Sequence, residues 1–370
     1  MRVTLINLWP TGGMMHYASA LANALARRPG LEVTLLVPEE AELAHLSPAV
    51  RVRPVPLSLR RGAGALAGNL LQLARVDRFW RAVAATSADV LHVNSSHPWL
   101  VATLRWLARR YPIVATVHEI DPHPGENTRR KRLETRAVLD HASRIAVHGD
   151  EIRARLLTLR PERAPAQVVT TPHGPYEHFA AGSTNGRGPA RPTVLFFGRI
   201  LAYKGLEVLL RAAPLVRVAV PDVRFVVAGE GDLTPYRALL DDPNLVETRN
   251  VYVPESEVSE LFRDAGVLVL PYIEASWSGV ASIAHAFGLP VVATSVGCLP
   301  DAVQHGKNGL IIPPNDVCAL ARALSSVLLD EGLRARLARG ARETRVRGWD
   351  EAAETLEFVY RELRDRPWRP

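Results

Sequence analysis

Residues 193–229 read TVLFFGRILAYKGLEVLLRAAPLVRVAVPDVRFVVAG. Thr193 to Phe197 is a short β-branched and aromatic run, Gly205 to Val218 carries apolar residues at helical spacing, and Arg224 to Ala228 is a second strand-like run. Two strands joined through a helix imply parallel pairing with a right-handed crossover. The alternation continues downstream, with strands expected at Val267–Leu270 and Pro290–Thr294 and helices at Glu255–Arg263, Gly279–Phe287 and Val317–Leu329.

The same pattern precedes it. Val3–Asn7, Glu32–Val37, Val90–Val93, Ile113–Val117, Arg144–Val147 and Gln167–Thr170 read as strands, and Tyr17–Arg27 as a helix. Between the two series, AAGSTNGRGPARP from Ala180 to Pro192 has no apolar period and is rich in Gly, Ser, Asn and Pro, as a linker is. The expected fold class is therefore α/β, with two Rossmann-like βαβ domains facing a central cleft. The domains are 1–180, a linker at 181–192, 193–348, and a last helix at 349–370 that packs on its own domain or crosses back to the first. That helix carries Ala353, Leu356, Val359, Tyr360 and Leu363 on one face. Ligands of parallel α/β sheets bind outside the carboxyl ends of the strands, so the cleft is the expected site.

Composition agrees with two ordinary domains. The chain has 370 residues, 47% hydrophobic and 22% charged, which excludes disorder and fibrous repeats. Mean hydropathy is +0.01 and every long apolar stretch is interrupted well before the ~20 residues of a membrane span. The first residues lead directly into a strand without a basic, apolar and small-residue series, so a cytoplasmic protein is expected. Cys298 and Cys318 are expected to be buried thiols. Charge is uneven: residues 1–180 hold 23 Lys and Arg against 15 Asp and Glu, whereas residues 181–370 hold 22 against 23. A basic first half fits an anionic surface such as the inner face of a membrane, although 42 arginines beside three lysines is equally a surface composition.

Two elements suit an anion. Gly198-Arg199 follows the strand VLFF and Lys204-Gly205 opens the next helix, so two cations and a helix N-terminus can grip a diphosphate. Ser276-Trp277-Ser278-Gly279-Val280 opens another helix with small residues that leave backbone N–H groups approachable. The plainer alternatives are surface cations and a helix capped by Ser278. His118-Glu119-Ile120-Asp121-Pro122-His123 has histidines five apart, and Pro122 and Pro124 forbid a metal-binding helix. Gly229-Glu230-Gly231 does not complete a dinucleotide fingerprint.

FFGRILAYKGLEVLLRAAPLV, VAGEGDL, VPESEVSELFRDAGVLVLPYIEASWSGVASIAHAFGLPVVATSVGCLPDAV and GKNGLIIPP together resemble the second domain of retaining, GT-B fold, family 4 (group 1) glycosyltransferases. The first half continues the resemblance through Gly12-Gly13, TVHEIDPHPGE, VHGDEIRARL and TPHGPYEHF. The resemblance implies a nucleotide-sugar donor, with no resident cofactor and no metal, a glycan or lipid-linked acceptor, no nucleic acid, and a role in polysaccharide or glycolipid synthesis. It assigns Arg199 and Lys204 to the donor diphosphate, and Gly12 and Gly13 to the glycine-rich first loop. Ser278, Gly279 and Val280 would offer backbone amides, and His118 would contact the donor sugar. Two glutamates of the family's pattern are replaced by Ala275 and Ile283, leaving Glu274 as an adjacent carboxylate. Rival readings are an epimerase or phosphorylase on the same architecture, a non-catalytic nucleotide-sugar or membrane-surface binding protein, and, furthest, a nicotinamide-dependent oxidoreductase.

Overall fold

The computed structural model describes residues 1–57, 75–120, 128–180, 191–275, 278–344 and 348–365. They form two compact units: unit 1 takes in 1–120, 128–174 and 348–365, and unit 2 takes in 175–344 among the described residues. Residues 181–190 of the expected linker, Ser276 and Trp277, and Asp121 to His123 lie outside the described residues.

In unit 1, β1 (Arg2–Ile6), β2 (Glu32–Pro38), β3 (Arg51–Val55), β4 (Val90–Val93), β5 (Ile113–Val117), β6 (Arg144–Val147) and β7 (Val168–Thr170) make one sheet in the order β3-β2-β1-β4-β5-β6-β7. Every pairing is parallel, with Ile6 opposite Leu36 on one side and Val93 on the other. The central strands are buried along their whole length, which is why they read as continuous apolar runs. β3 is an edge strand exposed at four of five positions, and only there is Pro54 tolerated. The described helices between strands are α1 (Gly13–Ala26), α2 (Val76–Ala84), α3 (Pro98–Leu107), α4 (Thr128–His141) and α5 (Asp150–Leu159).

Unit 2 repeats the plan. β8 (Thr193–Phe197), β9 (Arg224–Ala228), β10 (Val246–Arg249), β11 (Val267–Leu270), β12 (Val291–Thr294) and β13 (Gly309–Ile312) form a parallel sheet ordered β10-β9-β8-β11-β12-β13. Its helices are α6 (Leu206–Ala219), α7 (Glu255–Arg263), α8 (Gly279–Ala286), α9 (Val317–Leu329) and α10 (Glu331–Glu343). Leu209 and Val216 of α6 and Leu320 and Leu324 of α9 share one core with Val194, Phe196 and Phe225. Asp316 and Asp330 cap α9 and α10 by accepting from Ala319 N (2.8 Å) and Leu333 N (2.9 Å). Cys298 is buried, but Cys318 on α9 is exposed, so the expectation of two buried thiols holds for the first alone.

After unit 2 the chain returns to unit 1 as α11 (Trp349–Asp365), packed on α1. Its expected apolar face is buried, and Arg28–Glu357 (2.6 Å) and Arg144–Glu362 (3.2 Å) flank it. No helix among the described residues is long and apolar enough to cross a membrane.

Each sheet has one topological switch point, where successive strands leave in opposite directions: β1/β4 in unit 1 and β8/β11 in unit 2. Gly12 and Gly13 follow β1, Gly198 and Arg199 follow β8 and Ser278 follows β11, at these switch points, while His118 follows β5, the strand next to β4.

Candidate active site

In unit 2, Gly198 ends β8 with φ 111°, a conformation suited to glycine. A Cβ placed on it would sit 2.9 Å from Lys204 Nζ and 3.9 Å from Val280 Cγ2, so the turn, the lysine and the start of α8 converge. Lys204 itself occupies a single 3-10 turn (Ala202–Lys204) before α6, and Gly205 in the left-handed region (φ 68°) joins the two. The lysine is buried at 9% exposure, with its ammonium 5.4 Å from the centroid of the Tyr272 ring. No carboxylate among the described residues lies within ion-pair distance of it. Arg199, by contrast, is exposed at the same strand end.

Across the switch point, Ser278 holds the N-cap position of α8, but its side chain makes no capping bond. Its buried Oγ has no partner among the described residues. The capping alternative therefore fails, and the first N–H groups of α8, with the positive end of the helix dipole, remain available to an acceptor. Gly279 is required by packing as well: a Cβ there would approach Tyr176 to 2.9 Å. Glu274 is exposed after β11, while Ile283, in place of a family glutamate, is buried in α8. Gly229 and Gly231 have a packing role, since a Cβ on either would strike the backbone of Gly198 (2.2 Å) or Ile200 (2.4 Å). Gly205→Ala combines left-handed strain with a Cβ 1.9 Å from Pro271 O. It is expected to cost a few kcal/mol, visible as a melting temperature lower by several degrees.

The unit 1 residues form a separate constellation. Gly12 (φ 74°) is the N-cap of α1, and a Cβ on Gly12 or Gly13 would meet nothing within 4 Å, so open space surrounds this loop. His118 follows β5 and donates from Nε2 to Asn94 O (2.9 Å), which leaves Nδ1 as the acceptor nitrogen. Its ring stands edge-on to Tyr17 (4.5 Å, 89°) and lies 5.1 Å from that of His148. His148 and His173 donate from Nδ1 to Thr171 O (3.1 Å) and Gly174 O (2.9 Å), as hydrogen-bonded loop residues do. Burial depresses the pKa of His118 to about 4, that of His173 to about 3, and that of His148 well below normal, so the nest is neutral at physiological pH.

The sequence did not single out Tyr272, Tyr176, His92, Tyr17 or Trp349 as parts of these sites. A histidine inside the apolar strand VLHV was the only available signal, because the others act through contacts distant in sequence.

Two parallel α/β units with candidate residues at their strand ends define a two-domain doubly wound architecture, and comparison with known proteins places it. Residues 12–174 match the glycosyl transferase 4-like domain, and residues 191–330 match glycosyl transferases group 1. A D-inositol 3-phosphate glycosyltransferase of Actinosynnema mirum is 31% identical, over 96% of this chain and 93% of the relative. One of Saccharomonospora viridis is also 31% identical, over 95% and 89%. Among solved structures, sucrose-phosphate synthase from Thermosynechococcus elongatus aligns with TM-score 0.76 and 22% identity over 98% of both chains. Anabaena HepE in complex with UDP and glucose aligns with TM-score 0.70 and 17% identity over 98% of this chain and 100% of that one. The chain belongs to the group 1 glycosyltransferases of GT-B fold, and it is a transferase enzyme.

Proposed function

We propose that the enzyme moves a sugar from a nucleoside diphosphate sugar to an acceptor hydroxyl with retention of configuration, and that the donor diphosphate lies at the β8/β11 switch point. The observation that carries this reading is Lys204: a buried cation without a carboxylate among the described residues, beside a glycine turn and the start of α8. Burying an uncompensated charge is costly, and a ligand that brings two negative charges recovers that cost. Arg199 and the Ser278, Gly279 and Val280 backbone complete the cradle, and Gly12, Gly13 and His118 serve the sugar and acceptor side.

Retention is commonly achieved with a carboxylate nucleophile. The reading favoured here is same-face substitution: the C1–O bond to the diphosphate breaks, the acceptor oxygen bonds to C1, and its proton passes to a departing diphosphate oxygen. Lys204, Arg199 and the α8 dipole stabilise the charge that grows on that group, which is the work a divalent metal would otherwise do. A thermal-shift series with UDP-, GDP- and ADP-sugars selects the donor, since a ligand at 100 times its Kd stabilises by about 2.7 kcal/mol. Proton NMR of the product then reads its anomeric configuration. An inverted product would remove retention, and isomerised donor without acceptor would favour an epimerase. The relatives' name makes inositol phosphate the first acceptor to try, beside glycan and lipid-linked hydroxyls of polysaccharide or glycolipid synthesis.

Reversible binding to an anionic bilayer at the cytoplasmic face belongs to the same reading. Exposed Trp106 on α3 and Leu133 on α4, two helices in contact, lie among exposed Arg105, Arg109, Arg129, Arg132 and Arg136. Aromatic and apolar side chains among cations suit a lipid interface. The protein is expected to float with anionic vesicles at low salt and to be released at high salt. Equal recovery with neutral vesicles, or none with either, would remove the membrane partner.

A further inference from the structure

The last helix of the chain carries two aromatic residues into the His118 nest from opposite ends. Trp349, in its first turn, packs on Tyr17 (5.1 Å, 75°) and on His173 (5.0 Å). Its indole fills the space that a Cβ on Gly174 would need, at 2.4 Å. Tyr360 lies eleven residues later, close to three full turns, and so on the same face. Its hydroxyl bonds His92 Nδ1 on β4, and His92 Nε2 meets Thr116 Oγ1 at 2.7 Å on β5.

Thr116 and His118 are two residues apart, and the Thr116 hydroxyl also reaches Tyr17 OH at 3.5 Å. Tyr17 is the ring against which His118 stands. Tyr17, His92, Thr116 and Tyr360 are all buried, so each polar atom in this chain has only its neighbours to satisfy it.

We infer that Tyr360 and Trp349 are positioning residues for sugar transfer: α11 fixes the Tyr17 ring, through His92 and Thr116 at one end and by direct packing at the other, and Tyr17 holds the His118 imidazole in its working orientation. The inference rests on the proposed role of His118 and deepens it. The imidazole is held at Nε2 by Asn94 O and by its T-shaped contact with Tyr17; loss of the second contact loosens its orientation about the first. A reacting group displaced by about 1 Å can lose ~10²-fold in rate. An indirect displacement through three intervening side chains should cost less.

Tyr360→Phe tests this, because it keeps the ring and removes only the hydroxyl. The expected result is kcat about tenfold lower, donor KM within twofold of the parent, and His118 ring signals that shift and broaden as its orientation loosens, with the Nε2-protonated tautomer that Asn94 O selects retained. Phe358→Ser, on the 71% exposed face of the same helix, should leave kcat and those signals at parent values. Parent kcat with unchanged His118 signals in Tyr360→Phe would overturn the inference. So would a lower melting temperature with kcat retained below it, since that is what simple packing predicts. His118→Ala run in parallel separates the two readings: if it keeps parent turnover, the role of His118 falls, while the imidazole signals of Tyr360→Phe still report whether α11 holds the ring.

Discussion

Replacing Lys204 by methionine is expected to lower kcat/KM for transfer by ~10²-fold or more while the fold persists or gains stability. Methionine has the length and apolar character of the lysine stem, so packing against Tyr272 and beneath Gly198 survives. Only the charge goes. The lysine is buried at 9% exposure without a carboxylate partner among the described residues, so losing its charge also relieves a desolvation cost in the unliganded protein. Opposite changes in stability and activity are the expected signature of a site strained for its ligand. Arg199→Ala should reduce transfer severely too, but without the stability gain, because Arg199 is exposed and already solvated. Measured kcat/KM near the parent value in both variants would remove the diphosphate assignment, and a large fall in melting temperature for Lys204→Met would make the lysine a structural residue.

Unit 1 is expected to lose stability steeply as pH falls from about 6.5 towards 4. His92, His97, His148 and His173 are buried, and burial holds all four below the ordinary histidine value: His92 and His173 at about 3, His97 at about 4, and His148 well below normal. An unfolded chain binds protons at these positions near pH 6.5, whereas the native unit refuses them. Their contribution to stability is therefore complete above pH 6.5 and is lost as pH falls towards the native values. All four shifts act in the same direction within one unit, so each proton forced on as pH falls adds to the loss. In unit 2, His285 alone among the described histidines is buried. Hydrogen exchange followed peptide by peptide should show β4, β5 and β6 losing protection near pH 5 while β8, β9 and β11 keep theirs. Equal loss in both units, or none before pH 4, would contradict the argument.

Much of this was legible in the chain because buried parallel strands announce themselves as apolar runs. β1, β2, β4, β5, β6 and the edge strand β7, and β8, β9, β11 and β12, were all read from such runs. The strands that escaped notice are β3, β10 and β13, each at the edge of its sheet. RVRPV and VETR are half polar because an edge needs no second apolar face, and GLII was too short to stand apart from the loop around it. At the site, Gly198, Lys204 and Val280 were singled out as residues for one anion, and they do lie together. Tyr272 beneath the lysine could not be foreseen, since a tyrosine after a strand has no periodic signature. The link from His92 to Tyr360 spans 268 residues and depends on which unit the last helix joins. An amphipathic pattern fixes that a helix packs, but not on what.

That destination also sets the order in which the molecule can be completed on the ribosome. Unit 1 is interrupted: its sheet is finished by β7, yet the helix that covers Tyr17 and His92 is translated only after all of unit 2. At 5–20 residues per second the nascent sheet waits roughly 10–40 s for α11, and unit 2 can fold during that interval. Until then the α1 surface that receives Leu356, Val359 and Tyr360 is exposed apolar surface of the kind that chaperones bind. A messenger ending before codon 349 should yield a normal unit 2 attached to a sticky, unfinished partner, and rare codons placed late in the gene should lower soluble yield more than the same codons placed early.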